Sequence, residues 1–420
     1  MSLTISAASV DALIANPTSI SGYSASAPII ISGAITHTQA SNLNGVDATY
    51  IDATVSETSL TNLGNILVGN TSRTQLNKFK FSVSDTSSTA AALNAAQAKT
   101  SVAINASKVA SISESPAADI QTLYTGTVPT GIGAVPITVK DTSIAATTLE
   151  AINQFSTGAI DSKATTITGL AADVGPLLAL ADTVVKIAGT VAVTLTDTSI
   201  DAVKLNTVNS GTTGTVTSSA TTITGTATTV NTALTSNAST ATDSIEGLDA
   251  VNVVLDDPDT AGTQKYAVAN VRTIIGKTTG KVTATITEGA VDTLKNATTG
   301  VKGTSGNDLT ITVTDTEITA VELNDLDAAT DVNVILDPAG TDNPISVTSS
   351  SYSSVLTAFQ SSGFTGLSKA PVVVSGNISV AEANALDALT EGAITATISD
   401  SSFSSLNNLT GTGNAYTVVV

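Results

Sequence analysis

Proton transfer, metal binding and nucleophilic attack need particular side chains, and this 420-residue chain carries few of them. It has one histidine, His37, and no cysteine or tryptophan. A catalytic triad, a His-ligated metal or a His general base would have at most one member to draw on. His37 lies between Thr36 and Thr38 on what reads as the first turn of a helix, where a solvent-facing structural role is the simpler account. The run RTIIGKTTGK at 272–281 carries part of a phosphate-loop pattern in Gly276–Lys277–Thr278 and Gly280–Lys281. Val271 stands where the loop's first glycine belongs, and Val282 follows Lys281 where Ser or Thr is required. No G-x-S-x-G elbow occurs.

The remaining chemistry is that of oxygen ligands. GTSGNDLTI at 303–311 resembles one copy of the glycine-aspartate nonapeptide of calcium-binding secreted repeats, with Gly303, Gly306, Asn307 and Asp308 in the matching places. Ca²⁺ takes six to eight hard oxygens, so one such loop supplies part of a shell, and a plain tight turn accounts for the same residues. Two acidic loops are the other candidates: VNVVLDDPDTAG at 251–262 with Asp256, Asp257 and Asp259, and VNVILDPAGTDNP at 332–344 with Asp337 and Asp342. Solvation alone would explain acidic residues in loops. No cofactor is required by these residues, and Ca²⁺ is the one they could take. A further set of aspartates, Asp85, Asp141, Asp197, Asp315 and Asp400, recurs at strand ends. Asp accepts hydrogen bonds from free N–H groups at a turn into a helix, which predicts a structural role.

The elements that carry these residues repeat. In LTITVTDTEITAVELNDLDAAT at 309–330, Leu309, Ile311 and Val313 alternate with threonines, as in a strand with one buried face. Thr319 with Glu322 has capping-box spacing and opens a short helix with Leu323 and Leu326 inward. One strand and one helix of this size cannot bury a core alone and need neighbours of the same kind. Residues 141–174 match 197–230 without a gap, Asp141 lying over Asp197 at an offset of 56, with Ile144/Ile200, Leu149/Leu205 and Gly158/Gly214 coincident. TITG at 166–169 starts a second cycle inside that unit, so the basic coil is about half of it, roughly 25–32 residues. Residues 28–66 likewise match 371–409, Pro28 lying over Pro371, and Thr36/Gln39 and Ser379/Glu382 both have capping-box spacing.

These repeats predict a solenoid of about fifteen stacked coils, each a strand plus a short helix, with a parallel sheet. Residues 1–27 read as a first coil, cap or assembly segment, 28–414 as one continuous solenoid with acidic loops near 256–262 and 337–344, and 415–420 as a hydrophobic strand. The Thr-Gly pairs after helices, as at Thr157–Gly158 and Thr213–Gly214, are expected to supply a left-handed residue. TATTVNTAL at 226–234, rich in β-branched residues, is expected to be strand or loop.

Charged residues are 12% and aromatics 3%, and the net charge is −19. That charge argues against nucleic acid and anionic lipid, both of which call for Lys/Arg clusters. No run approaches the roughly 18 apolar residues of a membrane helix, so no membrane insertion is expected. The opening MSLTISAASVDALIANP lacks the basic and apolar regions of a cleaved signal. The alternation of DTSIxAxxLNxL with TTITGTAxxV at 141–174, 197–230 and 315–326 resembles the Thr/Ala-rich repeats of bacterial, notably cyanobacterial, surface proteins of the S-layer-like, adhesin-like and hemolysin-type calcium-binding kinds. The resemblance implies an extracellular or cell-surface location, export by type I secretion, and no catalytic residues.

The expectation is therefore a structural protein, not an enzyme, whose partner is itself. Copies would join head to tail through Leu3 and Ile5 at one end and Tyr416, Val418, Val419 and Val420 at the other, forming a fibre or surface layer. The alternative is an adhesin or phage-type fibre whose edge loops bind a cell-surface glycan or host surface.

Overall fold

The structure, a computed structural model, describes residues 1–66, 75–181, 184–237, 244–256, 264–336 and 345–419. It divides into two compact units, Met1–Thr196 with Ser210–Val216, and Asp197–Asn209 with Thr217–Val420. In each unit short parallel strands alternate with short helices.

In the first unit the strands Leu3–Ser6, Ile29–Ile35, Ile51–Val55 and Lys78–Lys80 pair in that order. A second ladder joins Ser87–Ser88, Ser111–Ser115, Ile137–Val139, Ile160–Ser162 and Val185–Lys186, and a third joins Ser143–Ala145, Thr166–Gly169 and Ala192–Leu195. In the second unit one ladder runs through Ser199–Asp201, Thr222–Gly225, Asn252–Leu255, Val282–Thr285 and Asp308–Thr310. Another runs through Glu317–Thr319, Ser346–Ser351, Val372–Ile378, Ile394–Ile398 and Ala415–Val418, and Val334–Ile335 pairs with Phe364–Thr365. No sheet among the described residues closes into a barrel, and no helix among them is long and apolar enough to cross a membrane.

Register places like beside like. Ile112, Ile137, Ile160 and Val185 form one column in the first unit, and Ile200, Ile223, Val253 and Val282 form one in the second. All eight are buried, so each column is a continuous apolar seam, and a slip of one residue would turn every member out to solvent. Register partners lie from 20 positions apart (Thr395 and Ala415) to 30 (Thr222 and Asn252). The lower limit is shorter than the expected coil and recurs where Ala34 pairs with Thr54 and Asn377 with Thr397, just after the register shifts.

The helices bury a narrow stripe at i, i+3 and i+6: Ala90, Leu93 and Ala96; Ala146, Leu149 and Ile152; Ala320, Leu323 and Leu326. Such a stripe fits a helix that touches the core on one side only. The three capping boxes expected at Thr36/Gln39, Thr319/Glu322 and Ser379/Glu382 are all formed. A second strand precedes the helix in several repeats, as Ile137–Val139 and Ser143–Ala145 do before Ala146–Phe155.

Residues 226–234 depart from expectation, because Ala227–Asn237 is the longest described helix. Ala227, Val230, Ala233 and Leu234 supply its buried stripe. Thr232 and Thr235 return their hydroxyls to the carbonyls of Thr228 and Asn231 at 3.0 and 2.6 Å. Burial of that stripe outweighs a β-branched propensity cost of a few tenths of a kcal/mol per residue, up to about 0.7.

The long-range match between 28–66 and 371–409 extends to backbone detail. The strands Ile29–Ile35 and Val372–Ile378 both shift register against the next strand, between Ile30 and Ala34 and between Val373 and Asn377. Each shift holds a glycine at positive φ, Gly33 at +96° and Gly376 at +79°, where a side chain would be strained.

Candidate functional site

The first N–H of a helix has no partner inside the helix. Here the following repeat supplies one at a recurrent corner. The amides of Leu60, Ala117, Val291 and Val380 donate to Oδ2 of Asp85, Asp141, Asp315 and Asp400 at 2.7, 2.7, 2.8 and 2.7 Å. Val268 donates to Glu288 Oε2 at 2.9 Å, and Ala90 and Ala320 donate to the hydroxyls of Ser115 and Ser350 at 2.9 and 2.8 Å. Each donor is the first residue of its helix. The structural reading of these aspartates holds, with the addition that each carboxylate caps the helix of the preceding repeat, a long-range partnership that sequence spacing does not reveal.

Asp315→Ala leaves the Val291 amide without its acceptor and is expected to lower stability by about 1–2 kcal/mol. Asp315→Asn keeps an acceptor oxygen and is expected to recover most of that. Urea denaturation of the two variants, with and without Ca²⁺, separates a cap from a metal ligand. A cap predicts the same loss in both buffers.

A second corner lies after the helix. Ser156 Oγ donates to the Val135 carbonyl at 3.1 Å and accepts from Gly158 N at 3.0 Å. Thr212 does the same between Val191 O and Gly214 N, Thr278 between Val251 O and Gly280 N, and Thr390 between Ala370 O and Gly392 N. A Cβ built on any of these four glycines collides with that same carbonyl, which lies just before a strand of the preceding repeat. Gly158 and Gly214 are not among the positive-φ glycines. The expectation of a left-handed residue there is corrected: the glycine makes room for the neighbouring backbone. The recurrent (Ser/Thr)-x-Gly spacing was the available signal for this lock.

The candidate calcium ligands Asn307 and Asp308 both hold neighbouring repeats. Asn307 is buried, accepts from Val282 N at 2.7 Å and donates to Thr304 O at 2.8 Å. Asp308 faces Lys281 at 3.0 Å, and Lys281 also reaches Asp331 at 3.0 Å. These two carboxylates, Asp308 foremost, push the Lys281 ammonium pKa up. Asp256 directly follows the strand Asn252–Leu255, and its N–H donates to Gly225 O at 3.1 Å. Asp257, Asp259, Asp337 and Asp342 lie outside the described residues. Among the described residues no group of three or more His, Asp or Glu is placed to hold a metal.

The cations of 272–281 are engaged within the fold. Arg272 donates to the carbonyls of Ala297, Gly300 and Lys302 at 2.5, 2.8 and 3.0 Å, and Lys277 bonds Thr235 Oγ1. His37 is half-buried at the first turn of the helix His37–Leu43, its ring beside the Thr38 hydroxyl at 3.5 Å.

Four of the candidate assembly residues, Leu3, Ile5, Tyr416 and Val418, lie on edge strands. Leu3 and Ile5, both half-buried, belong to Leu3–Ser6, which pairs with Ile29–Ile35 on one side and has no strand on the other among the described residues. Tyr416 and Val418, also half-buried, belong to Ala415–Val418, paired on one side with Ile394–Ile398 and open on the other among the described residues. Among the described residues the Tyr416 hydroxyl is buried without a partner, and burial, then the charge of Asp387, pushes its pKa up. Val419 is 50% exposed, as is most of Phe403 at 84%, and Val420 lies outside the described residues.

No model of a known protein family matches this chain, and no curated protein or solved structure is detectably similar to it.

Proposed function

We propose that the chain is a strand–helix solenoid that acts as an extracellular structural subunit, copies of which stack end to end into a fibre or surface layer. The observation that carries this reading is the correspondence of the four-strand ladder from Leu3–Ser6 to Lys78–Lys80 with the ladder from Ser346–Ser351 to Ala415–Val418. Both contain the same register shift and the same capped helix. Strand Ser346–Ser351, the counterpart of Leu3–Ser6, receives Glu317–Thr319 on its outer edge, with Ile318 beside Val347. The corresponding edge of Leu3–Ser6 is open among the described residues, and so is that of Ala415–Val418. A second copy offering Ala415–Val418 to Leu3–Ser6 would continue the ladder with parallel backbone hydrogen bonds, and Tyr416 and Val418 would extend the seam of Leu3 and Ile5.

Negative-stain electron microscopy of the full chain, beside one ending at Asn414, tests this. Filaments or sheets are expected from the full chain and isolated particles from the shortened one. Isolated particles from both, or equal assembly of both, would overturn the reading.

A further inference from the structure

Where a described helix carries Asn at its fifth position, that side chain ties it to the next repeat in every case but one. Asn94, Asn206 and Asn324 are each the fifth residue of their helices. Their Nδ2 groups donate to the carbonyls of Asp119, Thr229 and Ser354 at 2.9, 2.9 and 3.0 Å, each the third residue of the next helix. Asn231 holds the same position in Ala227–Asn237, and its partner would be the carbonyl of Asn270, third in the helix Val268–Ile275. Among the described residues the Asn231 side chain makes no hydrogen bond; an unpartnered Oδ1 is common to Asn231 and the linked Asn324, so it is the free Nδ2 that sets Asn231 apart. In place of the link is a solvent-open cleft of about 240 Å³, lined among the described residues by buried Ala227, half-buried Asn231 and exposed Thr228, Asn270 and Thr273.

The lining favours one ligand class. Among the described residues that line it none is charged or aromatic, so they present neither a counter-charge nor an apolar face. Two amides and two hydroxyls suit a neutral ligand dense in hydroxyl groups. Thr273 Oγ1 already donates to Ala269 O at 2.9 Å, so toward a ligand it is an acceptor. An unlinked Asn amide offers a donor for the oxygen that the next helix elsewhere provides. The volume is below the roughly 300–1,000 Å³ of sites for drug-sized ligands and equals about eight waters at ~30 Å³ each, the scale of one sugar ring. The net charge of −19 disfavours acidic sugars.

We infer that this cavity binds a neutral monosaccharide unit, the amides of Asn231 and Asn270 and the Thr273 hydroxyl engaging its ring hydroxyls in place of the absent interhelical bond. The inference rests on the cavity and stands apart from the assembly reading, so either can fail alone.

The test is saturation-transfer NMR and calorimetric titration of the full chain with glucose, galactose, mannose and N-acetylglucosamine, with glycerol as a control without a ring. Saturable binding of at least one monosaccharide is expected, at least tenfold tighter than glycerol. Asn231→Leu and Thr273→Val should each weaken it at least tenfold with the circular dichroism spectrum unchanged. Asn324→Leu, at the same helical position where the link is intact, should leave it unaltered. Absence of saturable binding by all four sugars would mean that the cavity holds water only, and overturns the inference. Binding that survives both Asn231→Leu and Thr273→Val overturns it equally.

Discussion

Leu323→Ala is expected to destabilise the second unit by about 2–5 kcal/mol, while Val321→Ala, two residues away, changes stability by no more than about 0.5 kcal/mol. Both lie in the helix Ala320–Asp327, but Leu323 is 0% exposed and Val321 is 54% exposed. Removing the leucine side chain forfeits its transfer out of water and leaves a void that Ala320 and Leu326, fixed on the same buried stripe, cannot fill. Val321 gives up little because water already reaches it. Urea denaturation followed at the helix signal reads both variants. Similar losses from the two would contradict the stripe as described, and a loss below about 1 kcal/mol at Leu323 would mean that the repeat collapses freely around the deletion.

A glycine pair gives the second large effect, with opposite signs. Gly158→Ala drives a methyl group into the carbonyl of Val135 and is expected to cost about 1–3 kcal/mol or more, because backbone on both sides must move. The same carbonyl accepts from Ser156, and Thr157 N donates to Gly133 O at 3.0 Å, so the shift would loosen the entry of Ile137–Val139 against Ile160–Ser162. Gly133→Ala meets nothing within 4 Å, is not at positive φ, and is expected to stabilise by about 0.4–1 kcal/mol through the unfolded chain. Thermal melts of both variants decide the matter. A stabilising Gly158→Ala would show that the close approach is absent.

These lock residues recur in both units, which is the regularity that the proposed structural role rests on. Several repeats are capped by an acceptor from the following one, several are locked to the previous one by a Ser or Thr hydroxyl, and like residues stack in apolar columns. Every such contact joins neighbours, so a stack made this way can grow by repetition without enlarging its core.

Much of this was legible in the residues themselves. Strand faces, inward helix stripes and three capping boxes are local, fixed by side-chain period and by groups three residues apart, and they were readable at 309–330, 36–39 and 379–382. The ungapped matches at offsets of 56 and 343 carried repetition, because equal coils need equal residues at equal places. What the chain alone could not decide was which repeat each polar group serves. Asp141 caps Ala117, Ser156 closes on Val135 and Asn307 supports Val282, each pair 21 to 25 positions apart and joined only once parallel register is set. At 227–237 local propensity favours strand and at Gly158 a left-handed turn, and packing against the neighbouring repeat overrules both. The cavity at Asn231 lies furthest from sequence, because it follows from a bond that one helix fails to make with the next.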